Sequence, residues 1–173
     1  MKDSTVVSIY SKQGGAIANN SGKVLEGIVE STLALKGFSP VKYRDWEQAP
    51  DLYGEELLLK NAPYTTLYEH AGTTEFLVKS KKHGVETRIE CKWQQAQGSV
   101  DEKFPYLFLN CTQKMTEPHI IILHDGGGAK KGAVNWLRDA CHRFTEGQAR
   151  TTGRIIELMD IVSFTVWANK VFR

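Results

Sequence analysis

The sequence predicts an α/β fold in which a helix precedes three strands and a connector leads to a further strand and helix. Three observations carry that expectation. GKVLEGIVESTLAL (22–35) has apolar residues at helical spacing. TTLYEHAG, TTEFLVKS and VETRIECKWQ are successive β-rich runs, and HIIILHD is a compact apolar run that stops at three glycines. At 173 residues the chain can bury one sizeable core, and no repeat or low-complexity tail divides it, so a single domain over 1–173 is expected.

Each element has its own reasons. A short strand is expected at 5–10, followed by the small, polar and glycine-rich loop SKQGGAIANNSG. The first helix carries Val24, Leu25, Ile28, Val29 and Leu35, with Thr32 in part, on its apolar stripe. Asn20 or Ser21 is available as its N-cap and Gly37 as its stop. Pro40, Pro50 and Pro63 make 39–63 read as irregular, with a short helix around 55–60. The three β-rich runs, separated by Ala71-Gly72 and by Lys81-Lys82-His83-Gly84, read as an antiparallel meander. QAQGSVDEKFPYLFLNCTQ reads as a short helix or ordered loop with Ser99 as cap. A buried strand at 119–125 follows. Val134, Leu137, Cys141 and Phe144 then mark a helix, and 152–172 supplies a last strand and a terminal helix.

Bulk properties narrow the setting. Hydrophobic residues at 41% and charged residues at 24% suit a soluble protein, while a net charge of +2 does not by itself indicate a nucleic-acid binder, so any basic surface must be local. Cys91, Cys111 and Cys141 form no CxxC pair, which argues against a disulfide framework or a cysteine zinc site. MKDSTVVSIYSKQGG lacks a signal-peptide apolar region and no run is long enough to span a bilayer, so a cytoplasmic protein without membrane contact is expected.

The stretch RIECKWQ raises the chemical question. Ile89, Cys91 and Trp93 would face the core, and Arg88, Glu90, Lys92 and Gln94 the opposite side. An amphipathic surface strand gives the same alternation. Hydrolysing a phosphodiester at neutral pH, however, calls for a metal held by hard oxygen ligands, with a lysine beside them to position or deprotonate water and to meet charge on the phosphate. Glu90 and Lys92 would project from one face about 6.6 Å apart along the strand, and a tight turn would bring Glu75 of the preceding strand alongside.

Glu75 followed by Glu90-Cys91-Lys92 resembles the signature of the PD-(D/E)XK nuclease superfamily, with IECK as its ExK half. The family's proline is absent, and glutamate stands where aspartate is usual, with Glu69 the substitute candidate. The first helix, with Glu26, and the closing Gly37-Phe38 are similar to the opening helix of archaeal Holliday-junction resolvases, which implies an active-site role for Glu26. A solvated helix charge is the other reading of Glu26. Gln94 matches a further site residue of some branches, or is a polar strand end. The resemblance implies a restriction endonuclease-like αβββαβ core, a mixed central sheet flanked by helices. It also implies a divalent-metal-dependent DNA endonuclease of restriction or junction/repair type. Glu75 and Glu90 would hold Mg²⁺, for which Mn²⁺ could substitute, Lys92 would stand beside the water, and DNA would be the partner. Two-fold targets would favour a homodimer.

In LHDGGGAKKGAVNW the apolar strand runs into Gly126, Gly127 and Gly128, and then Lys130 and Lys131 open a helix. Gly127 and Gly128 with Lys130 and Lys131 could cradle a DNA phosphate, or form an ordinary strand-to-helix turn. Ala133 and Val134 follow Gly132 where a Walker A loop needs lysine and a hydroxyl residue, so no nucleotide cofactor is expected. Asp125 would cap the turn. The five histidines show no metal-binding spacing and read as structural or solvent-facing. Two other functions stay open: a non-catalytic DNA-binding accessory protein retaining the nuclease fold, and a nucleotide-binding module built on the glycine loop.

Overall fold

In the computed structural model of the chain, residues 23–94 and 100–173 are described. They form one mixed sheet of six strands in sequence order: β1 (Ser39–Lys42), β2 (Glu56–Thr65), β3 (Ala71–Ser80), β4 (Val85–Trp93), β5 (His119–Asp125) and β6 (Ile155–Met159). β2, β3 and β4 are an antiparallel meander, whereas β1 lies parallel to β2, β5 parallel to β4 and β6 parallel to β5. Helices α1 (23–34) and α5 (Ile161–Val171) cover one face. Helices α3 (Val100–Gln113) and α4 (Lys131–Gln148) cover the other, and the short α2 (Tyr43–Gln48) packs beside β2. The order α1-β2-β3-β4-α3-β5 is the expected αβββαβ core.

The buried stripe of α1 is Leu25, Val29 and Leu33, at i, i+4 and i+8, against Phe76, Ile89 and Leu123 of the sheet. Each such side chain contributes about 1.5–3 kcal/mol by leaving water. Val24 and Leu35, which the periodicity placed on the stripe, are 46% and 88% exposed. The stop is as expected. Gly37 at φ 90° lets the Phe38 N–H reach the Leu33 carbonyl at 3.2 Å and its own N–H reach that of Ala34 at 3.0 Å, the two bonds of a Schellman cap. Phe38 then folds into the core beside Leu33.

Two expectations are corrected. The meander's first strand is not TTLYEHAG but β2, Glu56–Thr65, which stands where a short helix was expected around 55–60 and begins inside the segment read as irregular; residues 66–70 are the hairpin turn, and AGTTEFLVKS is one continuous strand. Prolines misled the reading for a physical reason. Pro40 lies on the edge strand β1, and Pro63 lies beyond Lys60, where β1 no longer pairs with β2, so neither interrupts a two-sided ladder. The connector after β4 carries a full helix, α3, despite Pro105 inside it. The strand expected at 5–10, the N-caps Asn20 and Ser21, and the cap Ser99 lie outside the described residues.

Beneath α3 and α4, Phe104, Leu107, Cys111, Ile120, Ile122, Leu137, Cys141 and Ile156 form the second core. All three cysteines are buried and free. Arg154 joins the elements on this side: its guanidinium donates to the carbonyls of Cys111, Thr112, Met115 and Glu117, serving the unpaired end of α3 and the turn after it. Among the described residues, no helix is long and apolar enough to cross a membrane.

Candidate active site

The sheet opens where the predicted residues meet. The β3–β4 ladder runs from Ser80↔Val85 to Phe76↔Ile89, and at the next position the Glu75 carboxylate takes the Cys91 N–H at 2.7 Å. A side chain thus fills the place of a ladder bond and holds the diverging strands together. Across β3, Asn61 stands opposite Glu75 with φ 55°, and the alternation of β2 shifts there: Leu57 and Leu59 share a core cluster with Ala62. This paired bulge re-aims both strands and leaves Glu75 half-buried at the rim of the gap.

Glu90 and Lys92 project from the α3 face of β4, as the alternation requires, and form an ion pair. Glu90 is only 6% exposed, and its Oε2 is buried with no hydrogen-bond partner among the described residues. Burial raises the Glu90 pKa; Lys92 works against this and the nearby Glu75 charge adds to it, so the net shift is upward. For Lys92, burial alone would lower the pKa, but Glu90 and Glu75 outweigh it and keep the amine firmly protonated. Glu26, on the α1 side, has its pKa raised by burial and then by Glu75. Glu26, Glu75, Glu90 and Lys92 therefore form one electrostatic group spanning the opening between α1, β3 and β4.

Glu69, the substitute for Glu75, is positioned differently. It occupies the hairpin turn with φ 58°, is exposed and pairs with Lys114 at 2.5 Å. Gln94 directly follows β4 and is buried, with its backbone held on both sides: its N–H donates to the Asp125 carbonyl at 3.0 Å and its carbonyl accepts from Gly128 N–H at 2.8 Å. The glycine loop thus packs directly against the end of the site strand. Gly127 is exposed, and the backbone N–H of Lys130 faces the Asp101 carboxylate at 3.3 Å, so three of the loop's donors, those of Gly126, Gly128 and Lys130, already have protein acceptors. The Lys130 and Lys131 side chains stay exposed. Asp125 accepts from Gly126 N–H at 2.7 Å, the turn-capping role expected of it, and also faces the Ile161 N–H at 3.3 Å.

Sequence reasoning missed several neighbours. Arg88, read as one of the polar-face residues, is buried. Its guanidinium binds the Ala62 and Pro63 carbonyls, Thr74 Oγ1 and the Glu117 carboxylate. Burial and then the Glu90 charge push Tyr64 up to about 12, marking its phenol as a neutral wall of the site. His124 stands in register with Lys92 on the adjacent strand, its Nε2 buried without a hydrogen-bond partner among the described residues and its ring edge-on to Phe104. Only the alternation of β5 could have put it on this face.

The donor chemistry fits a hard divalent cation. Glu90 offers a buried oxygen with no donor of its own, and the Glu75 carboxylate lies close enough that a shared proton or a cation suits the pair. Among the described residues, no group of three or more His, Cys, Asp or Glu side chains is arranged to hold a metal ion. Such a cation would complete its shell with water and substrate oxygens, the habit of Mg²⁺ rather than of a closed structural site. Searches of curated proteins and of solved structures gave no match. A family model described as the PD-(D/E)XK nuclease superfamily domain matches residues 17–172, nearly the whole chain. With that match, the meander, and the Glu75, Glu90 and Lys92 constellation at its opening, the chain belongs to the PD-(D/E)XK nuclease superfamily.

Proposed function

We propose that this nuclease-family protein is a metal-dependent endodeoxyribonuclease that hydrolyses phosphodiester bonds, with Mg²⁺ as the natural ion. The observation that carries the reading is the Glu90 carboxylate: one oxygen is paired with Lys92, and the other is buried without a partner beside Glu75. Burying a carboxylate in that state costs stability, and a cation removes the cost.

Glu90 and Glu75 would hold the ion. When bound, it neutralises charge on the scissile phosphate and lowers the pKa of a water. Lys92, kept charged by the two carboxylates, acts as a donor that orients the water and meets the charge growing on phosphate oxygens, and it takes no proton itself. Glu26 is an accessory carboxylate whose raised pKa suits it to share a proton or an outer water with Glu75. Gln94 fixes the far end of the site strand, and the Lys130 and Lys131 side chains flank the DNA backbone. A two-fold DNA target would be met by a homodimer.

The test is cleavage of supercoiled plasmid and branched DNA with Mg²⁺, Mn²⁺ or EDTA, comparing the native chain with Glu90→Ala and Lys92→Ala. The expected result is metal-dependent cutting that both variants lose while remaining folded. Undiminished cutting by both variants removes the assignment. One observation favours a second reading, a DNA-binding protein without catalysis: a Glu75 oxygen is already committed to the Cys91 N–H. Tight DNA binding with no cutting under any ion would select it.

A further inference from the structure

We infer that Tyr68 is a stacking platform for an unpaired base, so that the substrate is DNA carrying single-stranded or splayed nucleotides next to the cut. This rests on the DNA-nuclease reading above. Tyr68 is 69% exposed at the tip of the β2–β3 hairpin. One ring face lies on Tyr106 of α3, with centroids 5.1 Å apart and planes 21° from parallel, and His70 meets the ring at 61° with centroids 6.4 Å apart, while most of the side chain stays open to solvent.

An exposed aromatic ring is common; one held this firmly is not required by the fold. The turn is fixed by Thr66 N–H to the His70 carbonyl and Glu69 N–H to the Thr66 carbonyl, each at 2.9 Å. It is docked onto α3 by Leu67 N–H to Asn110 Oδ1 at 2.9 Å, with Asn110 anchored in turn on the Tyr106 carbonyl. Lys114 of the segment after α3 grips Glu69 at the tip. The ring is therefore ordered before any ligand arrives, and stacking on it costs little conformational entropy.

The platform is continuous with the site. Tyr64 of β2 packs with the α3 core, close enough to Glu90 for that carboxylate to act on its phenol. Tyr106, which carries the Tyr68 ring, belongs to α3, the helix that covers the Glu90 face of the sheet and packs with Tyr64, so the platform lies over the same face as the candidate metal ligand. Lys103, exposed one turn before Tyr106, supplies a cation for the strand's phosphates. Bases inside a duplex have both faces covered by neighbours, so a single open ring face selects a base that has left the stack. Stacking tolerates any base, so the platform confers preference for DNA structure rather than sequence.

The test is fluorescence anisotropy in EDTA with three probes: a single-stranded oligonucleotide, a forked duplex and a blunt duplex. Native protein is compared with Tyr68→Ala and Tyr68→Phe, with thermal melting to show that both variants fold. The expected result is that Tyr68→Ala weakens single-stranded and forked DNA by roughly 5- to 100-fold, leaves the blunt duplex within about twofold, and is rescued by Tyr68→Phe. Equal binding by native protein and Tyr68→Ala, or equal loss on all three probes, overturns the platform. If native protein cuts DNA in a Glu90-dependent way while Tyr68→Ala changes nothing, only this inference fails. If native protein neither binds nor cuts any probe, the DNA-nuclease reading fails with it.

Discussion

Replacing Gly126 by alanine separates two roles for the glycine loop, as a cradle for phosphate or as a clamp on the site strand. A Cβ at Gly126 would lie 2.4 Å from the Gln94 carbonyl oxygen and 2.7 Å from its carbon, both backbone atoms that cannot swing aside, and the residue holds φ at +107°. The strained backbone costs about 1–3 kcal/mol. Displacing the Gly128 and Gln94 backbone bonds costs about 1 kcal/mol each. The sum is about 3–5 kcal/mol, or a fall in melting temperature of roughly 6–20 °C for a chain of this size. Gly127→Ala is the matched control: φ there is +72°, but no atom lies within 4 Å of the new Cβ. It should cost about 1 kcal/mol and roughly 2–4 °C. Melting followed by circular dichroism reads the difference, and cleavage measured below both transitions reads the consequence for the site. Equal melting shifts would refute the clamp argument. So would cutting that is lost in Gly127→Ala and spared in Gly126→Ala, because that pattern belongs to a phosphate cradle.

Other expectations follow from the same geometry. Glu75→Ala should lower the cleavage rate by about 100-fold or more, since a metal ligand supplies several kcal/mol of transition-state stabilisation, while Glu69→Ala should stay within about twofold; the reverse ranking in plasmid cleavage would move the ligand to the hairpin turn. The buried Glu90 holds its proton to higher pH in the native state than in the unfolded chain, so the stability it contributes when protonated is present in acid and is lost as pH rises through its raised native value. A divalent cation competes with that proton, so affinity read by calorimetry should tighten as pH climbs to that value and level off above it, with proton uptake by the buffer; affinity independent of pH would remove Glu90 from the ligand set. Arg88→Ala strands the Glu117 carboxylate in a buried position and should cost about 3–5 kcal/mol in a urea melt, whereas a loss near 1 kcal/mol would mean that water reaches the pair.

How much of this was legible beforehand depended on which interactions are local. The side chains of β4 were placed correctly because alternation is a property of a single strand: Ile89 and Cys91 are in the α1 core, and Glu90 and Lys92 are on the other face. The helical stripe of α4 was legible for the same reason. By contrast, β2 was hidden because its one proline, Pro63, is harmless only where β1 fails to reach, which is a fact about a neighbour. Glu26 could be suggested by resemblance alone, since its proximity to Glu75 arises when Leu25, Val29 and Leu33 seat α1 on the sheet. The buried role of Arg88 was invisible because its partners, Ala62, Pro63, Thr74 and Glu117, are scattered along the chain. The Tyr68 platform had no local signature, being composed by a hairpin tip and a helix that meet only in the fold.

The paired bulge at Asn61 and Glu75 has an engineering consequence. Deleting both residues would splice β2 and β3 into an unbroken ribbon, and the frame on either side would be conserved, since Lys60 pairs with Phe76 and Ala62 with Thr74. Deleting one alone would slip the outer hairpin by a residue and turn Tyr64 away from Glu90. The discontinuity in the sheet and the acidic side chain at its rim are a single residue, Glu75. Any redesign that perfects the hairpin therefore removes the carboxylate, and a more regular variant of this protein is expected to be a tougher but silent one.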